Sequence, residues 1–329
     1  MARILLTHTP EMRRNYYSER CVEGLRALGE LVLHEGAEPL GGERLVEAAR
    51  GADIIVADRQ TPGAAIVFER SPGLVAFVRC AVDIRNVDVA AASAAGVLVT
   101  RASAGFVPAV TELVVGFLVD LSRGISAATA QYHGGQVPAA AMGRQLSGST
   151  LGVIGFGAIG RRVAEVGVAL GMRVVVSDPN AGATGAGIEQ RELGELLAVS
   201  DYVVCLAIAN EQTENLMDDA AFGRMKAGAF FINVSRGNLV DEAAMVRALE
   251  SGRIAGAALD VGRDPDQMPT PAVARRRDVI ATPHVGGLTP QAAEHQALET
   301  VRQVAEIVKG RAPVGAVNAA QAQRLARLA

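Results

Sequence analysis

Residues 151–160 read Leu-Gly-Val-Ile-Gly-Phe-Gly-Ala-Ile-Gly, an apolar run that breaks at Gly155, Gly157 and Gly160 and continues as Arg161, Arg162, Val163 and Ala164. A Gly-x-Gly-x-x-Gly stretch between a strand and a helix suits one task. Gly155 permits the tight turn, Gly157 lets backbone approach a pyrophosphate, and Gly160 lets the helix lie against the strand. The free N–H groups and the positive end of the helix dipole then face the anion. The motif alone reads more readily as a glycine-rich turn, and Asp178 is what decides against that reading. It ends the next strand-like run, 173–177, 18 residues after Gly160. An acid there accepts hydrogen bonds from adenosine ribose hydroxyls and repels a 2′-phosphate, so NAD is favoured over NADP. Arg161 and Arg162 are assigned by default to the helix surface.

Three later segments each end a strand-like run. They are Asn233-Val234-Ser235-Arg236-Gly237-Asn238-Leu239-Val240-Asp241, then Gly256-Ala257-Ala258-Leu259-Asp260-Val261 leading to Asp264-Pro265, and Thr282-Pro283-His284-Val285-Gly286-Gly287. All lie where doubly wound sheets bind ligands, beyond the carboxyl ends of the strands. Together they offer an arginine, a carboxylate and a histidine. Taken singly, Arg236 is equally a surface residue at a helix start, Asp264 an N-cap or loop acid, and His284 a loop residue after proline. Lys226 and Lys309 are the only lysines and lie outside these segments, so Schiff-base chemistry has little support.

The elements that position these residues follow from composition and rhythm. A chain of 329 residues predicts about two domains. With 50% hydrophobic residues, 4% aromatics, 36 glycines and no tryptophan, small-residue α/β packing is favoured over an aromatic-rich β-sandwich. Strand-like runs at 4–7, 31–34, 53–57, 74–79 and 97–100 alternate with helical stretches such as 19–28 and 42–49. An apolar helix at 108–123 and a Gly/Ala/Pro-rich loop at 133–149 follow. The alternation restarts with strands at 150–154, 173–177, 202–207, 229–234, 255–261 and 279–281, helices at 159–170 and 242–251, and a last helix at 290–309. Such βα alternation predicts an α/β fold of two doubly wound parallel sheets.

Net charge of −3 gives no field for nucleic acid or an anionic membrane, and no apolar run approaches the ~18 residues of a membrane span. Cys21, Cys80 and Cys205 are widely spaced, without a CxxC pair. That argues against a disulfide framework or a zinc ribbon, no metal site is expected, and a reducing cytoplasm fits best. The N-terminal apolar run is too short for a signal peptide.

The order of these motifs resembles the D-isomer-specific 2-hydroxyacid dehydrogenase family over nearly the whole chain. The resemblance implies a Rossmann NAD-binding domain, residues 101–288, inserted into a flavodoxin-like substrate domain made of 1–100 plus 289–329. It implies hydride transfer between nicotinamide and a small 2-hydroxy or 2-oxo acid. Arg236 would hold the substrate carboxylate and carbonyl, a two-point task suited to a guanidinium. His284 would be the acid/base, and Asp264 the carboxylate that favours the charged ring and fixes its orientation. The implied cofactor contacts are Gly155, Phe156, Gly157, Ala158, Ile159, Gly160, Asp178, Pro179, Ala207, Ile208, Thr213, Val234, Arg236, Asp260 and His284. The implied substrate contacts are Cys80, Ala81, Val82, Arg236 and His284. A homodimer is expected through the nucleotide domain; the apolar helix 108–123 is either part of its interface or buried inside the monomer, two comparable readings.

Several positions depart from the family pattern. The acid is usually a Glu after Asp-Val-Phe, whereas this chain has Asp260-Val261-Gly262-Arg263-Asp264-Pro265; Asp264 keeps the acid-Pro pairing, with Asp266 as the other candidate. The usual glycine-rich substrate loop is Arg79-Cys80-Ala81-Val82-Asp83-Ile84-Arg85, where Asp83 would repel an anionic substrate unless it points away or pairs with Arg85. The usual His-x-Pro beside the cofactor is Leu206-Ala207-Ile208. His8, His34, His133 and His295 match no family motif and are read as loop or surface residues. Two other readings of the pattern are an NAD(H)-sensing binding protein like the C-terminal-binding-protein corepressors, and a formate dehydrogenase. The latter expects Gln where Asp264 stands.

Overall fold

The computed structural model of the chain describes residues 1–182 and 184–329, which divide into two compact units. Unit 1 comprises Met1–Gly105 and Thr289–Ala329, and unit 2 comprises Phe106–Leu288. No single helix among the described residues is long and apolar enough to cross a membrane.

In unit 1 the strands are β1 (Arg3–Leu6), β2 (Glu30–Leu33), β3 (Ile54–Ala57), β4 (Ala76–Arg79) and β5 (Leu98–Arg101). They pair in parallel in the order β2-β1-β3-β4-β5, the flavodoxin-like order. Both faces are covered, so β3 and β4 are buried at every position; β3 is apolar throughout and β4 is apolar up to its last residue, Arg79. Leu5, Ile55, Phe77 and Val99 pack on one side against Leu45, Val67 and Phe68. Ile4, Ile54, Val56, Val78 and Leu98 pack on the other against Tyr17, Cys21, Leu25, Val304 and Ile307. The last two come from helix Pro290–Ile307, which is why the C-terminal segment belongs to this unit.

Unit 2 contains β6 (Thr150–Ile154), β7 (Arg173–Ser177), β8 (Ile188–Gln190), β9 (Tyr202–Cys205), β10 (Ala229–Asn233), β11 (Ile254–Leu259) and β12 (Val279–Ala281). All pair in parallel, in the order β12-β11-β10-β9-β6-β7-β8. The first strand of the unit is central, and the chain moves outward from it first to β7 and β8, then to β9 and beyond. The β6/β9 boundary is therefore the switch point of a Rossmann sheet. The alternation predicted both parallel sheets; the three-residue edge strand β8, close after Gly185 and Gly187, was not anticipated. Helix Val107–Arg123 buries Val110, Val114, Phe117 and Leu118 against β-sheet residues including Val153 and Val204, so much of its apolar surface is used inside unit 2.

Candidate active site

At the switch point the three fingerprint glycines are required for different reasons. Gly155 has φ +93, and a Cβ there would stand 2.6 Å from the Leu206 carbonyl group and 2.7 Å from the Ala207 nitrogen. The turns after β6 and β9 thus meet backbone to backbone. A Cβ on Gly160 would run into the Gly155 carbonyl oxygen, so the helix Ala158–Ala169 packs tightly on its own strand. Gly157 has no such excuse. Its φ is −72 and nothing lies within 4 Å of the position its Cβ would take. Ala158 and Ile159 open the helix just behind it.

Asp178 follows β7 and reaches back to the same turn. Its Oδ2 accepts from the Phe156 N–H at 2.7 Å and its Oδ1 from the Asn180 N–H at 2.8 Å, while Pro179 is exposed beside it. Arg161 folds over the buried Phe156 ring, 4.4 Å from its centre, and Arg162 pairs with Glu165 at 3.0 Å. Both arginines therefore have partners, one in the turn before the helix and one on the helix itself. After β9, Ala207 leads to Ile208, whose side chain is 80% exposed, and the Thr213 hydroxyl donates to the Ile208 carbonyl at 2.7 Å.

The turn after β10 is shaped by Asn233. Its Oδ1 accepts from Ser235 N–H at 3.1 Å and its Nδ2 donates to the Arg236 carbonyl at 2.9 Å. Val234 is buried, and Ser235 Oγ donates to the Ala207 carbonyl at 2.8 Å, tying this turn to that after β9. Arg236 is half-buried and its Nη1 donates to the Ser235 carbonyl at 2.8 Å.

Asp260, at the end of β11, is 2% exposed and its carboxylate is spent on the turn after β12. It accepts from Thr282 Oγ1 at 2.6 Å, Val285 N–H at 2.8 Å and Gly286 N–H at 2.8 Å. That network holds His284 in a left-handed conformation, φ 54, with its own N–H donating to the Asp260 carbonyl at 2.9 Å. Sequence reasoning placed Asp260 at the cofactor and missed this clamping task. The ring atom His284 Nδ1 lies 2.6 Å from the main-chain carbonyl oxygen of Asp266. Asp264 opens the same turn: its N–H donates to the Met268 carbonyl at 3.1 Å and its carbonyl accepts from Gln267 N–H at 3.0 Å.

In unit 1 the carboxyl ends of β1, β3 and β4 carry a buried polar cluster. Cys80 and Ala81 are buried and Val82 is half-buried. Arg79, 2% exposed, donates to the carbonyls of Asp58 (2.6 Å), Thr61 (2.7 Å), Arg59 and Asp83 (3.3 Å) and to Asn86 Oδ1 (2.8 Å). It therefore fixes the loops after β3 and β4. Burial lowers its pKa, although Asp58 and Asp83 oppose that. Burial pushes the Asp58 carboxyl up, but hydrogen bonds from Thr61 and Thr7 outweigh it and hold the group below the usual range. Asp83 is paired with Arg85 at 2.6 Å, so its charge is partly met within the loop.

His8 lies in the loop after β1, one of the two places expected for it, but it is not on the surface. It is 3% exposed, tilted against Tyr17 at 4.8 Å, with Nδ1 buried and unpaired. Burial takes its pKa down to about 4, against the pull of Asp58. Burial likewise pushes the Cys80 thiol up to about 12. The only sequence signal for this cluster was Arg79 and Asp58 directly ending apolar runs, where a charge must find partners.

A family model described as the NAD-binding domain of D-isomer specific 2-hydroxyacid dehydrogenases matches residues 115–286. D-3-phosphoglycerate dehydrogenase of Rattus norvegicus is 34% identical over 284 residues, 85% of this chain and 53% of that protein. Hydroxypyruvate reductase of Thermotoga maritima is 30% identical over 273 residues, 82% of this chain and 89% of that one. The apo structure of D-lactate dehydrogenase from Escherichia coli superposes with a TM-score of 0.82 at 25% identity, covering 96% of this chain and 99% of that one. The chain spans about half the length of the phosphoglycerate dehydrogenases it matches. With its motifs, both sheet orders and these matches in agreement, the chain belongs to the D-isomer-specific 2-hydroxyacid dehydrogenase family.

Proposed function

We propose that the chain is an NAD-dependent oxidoreductase acting on a small 2-hydroxy or 2-oxo acid. The observation that carries the cofactor reading is Gly157. Its backbone conformation is open to any residue and its Cβ would meet empty space, so internal packing gives no reason for glycine. A pyrophosphate against the N-terminus of helix Ala158–Ala169 gives one, because a methyl group there would keep it from the N–H groups. Asp178 suits the ribose hydroxyls, with Pro179, Ala207, Ile208, Thr213 and Val234 as the remaining cofactor contacts. NAD is preferred over NADP because a 2′-phosphate would meet the Asp178 carboxylate, and Arg161 and Arg162 are turned to Phe156 and Glu165.

Bound NAD supplies or accepts the hydride, and this chain's residues do the rest. Arg236 is assigned to the substrate carboxylate and carbonyl. A carbonyl oxygen only accepts, so His284 Nδ1 carries the proton in its contact with Asp266, and Nε2 is the atom that exchanges a proton with substrate. In reduction the charged ring gives that proton to the carbonyl oxygen; in oxidation the neutral ring takes it from the hydroxyl. Asp264 is assigned to support the charged ring. In unit 1, Cys80, Ala81 and Val82 are assigned to substrate binding.

The test is NADH oxidation with glyoxylate, hydroxypyruvate, pyruvate and larger branched or aromatic 2-oxo acids. Turnover with at least one is expected; none, with NADH binding intact, would refute the reading.

A homodimer is part of the proposal. Helix Ile125–His133 has no buried residue, and Val119, Ile125, Tyr132, Val137 and Met142 are all exposed along this stretch of chain. A second copy is the occupant such a face suits. Light scattering should give twice the chain mass, and a monomer would contradict it. Three free buried cysteines suit the cytoplasm.

A further inference from the structure

We infer that the orientation of the His284 ring is set by a main-chain carbonyl, that of Asp266, and that Arg263 is the positioning residue that holds this carbonyl in place. The inference rests on the proposed acid/base role of His284 for its catalytic meaning, but not for its geometry.

The carbonyl is presented by a turn that an ordinary chain would not adopt. Asp266 and Gln267 are consecutive left-handed residues, φ 56 and φ 61. Such a conformation is costly for any residue but glycine, and other side chains persist there only when neighbours over-determine them. The turn is bonded internally by Gly262 N–H to the Gln267 carbonyl at 2.8 Å and by the two bonds of Asp264 described above. It is also bonded outward. Gln267 Oε1 accepts from Gly237 N–H at 3.2 Å, and Gly237 lies so close to Gly262 that a Cβ on it would overlap the Gly262 carbonyl. The turn is thus docked on the segment next to Arg236.

Arg263 is the fastener. Its guanidinium donates to the Val240 carbonyl at 3.0 and 3.1 Å and to the Asn238 carbonyl at 3.1 Å. It also donates to Glu214 Oε1 at 2.9 Å and to Asn215 Oδ1. The β9 loop that carries Thr213, the β10 turn that carries Arg236 and the β11 turn that touches His284 all converge on this side chain. Hydrogen bonds from Asn238 and Arg263, with the Arg263 charge, hold the Glu214 carboxyl below its usual range. Asp260 fixes the backbone of His284 from one side and the Asp266 carbonyl fixes its ring from the other. A carbonyl that only accepts is by itself sufficient to impose the Nδ1–H tautomer. Asp264 is then left with charge support rather than orientation.

The test reads the tautomer directly and turnover separately. At a pH where the ring is neutral, imidazole nitrogen NMR on the NADH-bound protein should show the His284 proton on Nδ1, and the same signal in Asp264→Asn and in Asp266→Gly. The latter keeps the carbonyl and tolerates the left-handed turn. In Arg263→Met the signal should shift or broaden, and kcat should fall 10- to 100-fold while the NADH Kd stays within about 2-fold, since an ångström of misplacement is worth about that much. Arg263→Lys should recover little, because one ammonium cannot span the same acceptors. Loss of the Nδ1–H signal in Asp264→Asn or Asp266→Gly would overturn the inference, as would unchanged signal and kcat in Arg263→Met. If wild-type protein shows the tautomer but reduces no 2-oxo acid, the proposed function fails and the geometric inference stands.

Discussion

Replacing Gly157 by alanine separates a structural glycine from one kept for a ligand. The backbone at 157, φ −72 and ψ −162, is available to alanine, and the added methyl would meet nothing within 4 Å. Folding stability should therefore hold or rise by up to about 1 kcal/mol, through reduced freedom of the unfolded chain. Cofactor binding should suffer instead. A methyl at the mouth of the helix stands off a pyrophosphate, and losing one or two charge-assisted hydrogen bonds removes about 3 kcal/mol, roughly a 100-fold rise in the NADH Kd. Gly155→Ala is the contrasting variant. Its φ of +93 costs about 1–2 kcal/mol for any other residue. The new Cβ would also fall about 0.8 Å short of ordinary contact with the Leu206 carbonyl, which is backbone and cannot swing aside. That variant should lose both stability and binding. Thermal unfolding without cofactor, paired with NADH fluorescence titration, reads the two quantities independently. Gly157→Ala with wild-type NADH affinity would refute the cofactor placement, and Gly157→Ala with a large fall in unfolding temperature would refute the reasoning about empty space.

Other outcomes follow from the buried groups of unit 1. His8 titrates near 6.5 when unfolded and at about 4 when folded, so its neutral form is part of the native state. Stability from this group is complete above pH 6.5 and is lost as pH falls toward 4, about 3 kcal/mol in all. His8→Leu should flatten urea-measured stability across that window, and an unchanged slope would contradict the burial argument. Cys21, Cys80 and Cys205 are buried and burial raises all three pKa values, so native protein should resist thiol reagents until denaturant is added. Rapid labelling of the native chain would speak against it. Asp178→Ala should raise affinity for NADPH relative to NADH, read by titration with both; an unchanged ratio would remove Asp178 from cofactor choice.

Long apolar runs bounded by glycine gave the parallel sheets away in the sequence, because strands buried on both faces cannot hide polar residues. The segment from Gly155 to Gly160 was legible for the same reason that it works: strand, turn and helix follow one another within ten residues. What could not be read is what depends on side chains meeting from distant segments. The pairing of His284 with a carbonyl of Asp266 needs two left-handed residues that carry no glycine signal. Arg263 reads as a loop arginine until Glu214, Asn215, Asn238 and Val240 are brought around it. The buried cluster of His8, Asp58 and Arg79 joins three strands whose ends are separated by some twenty to fifty residues of chain. β8 was missed because three residues are too few for a period.

The proposed hydride transfer depends on one imidazole, that of His284. The direct measurement is single-turnover oxidation of bound NADH by the best 2-oxo acid of the panel, in wild-type protein and in His284→Ala at matched cofactor saturation. Wild-type protein should turn over, and the variant should bind NADH normally with its rate reduced by at least 100-fold. Comparable single-turnover rates in the two proteins would contradict the assignment of His284.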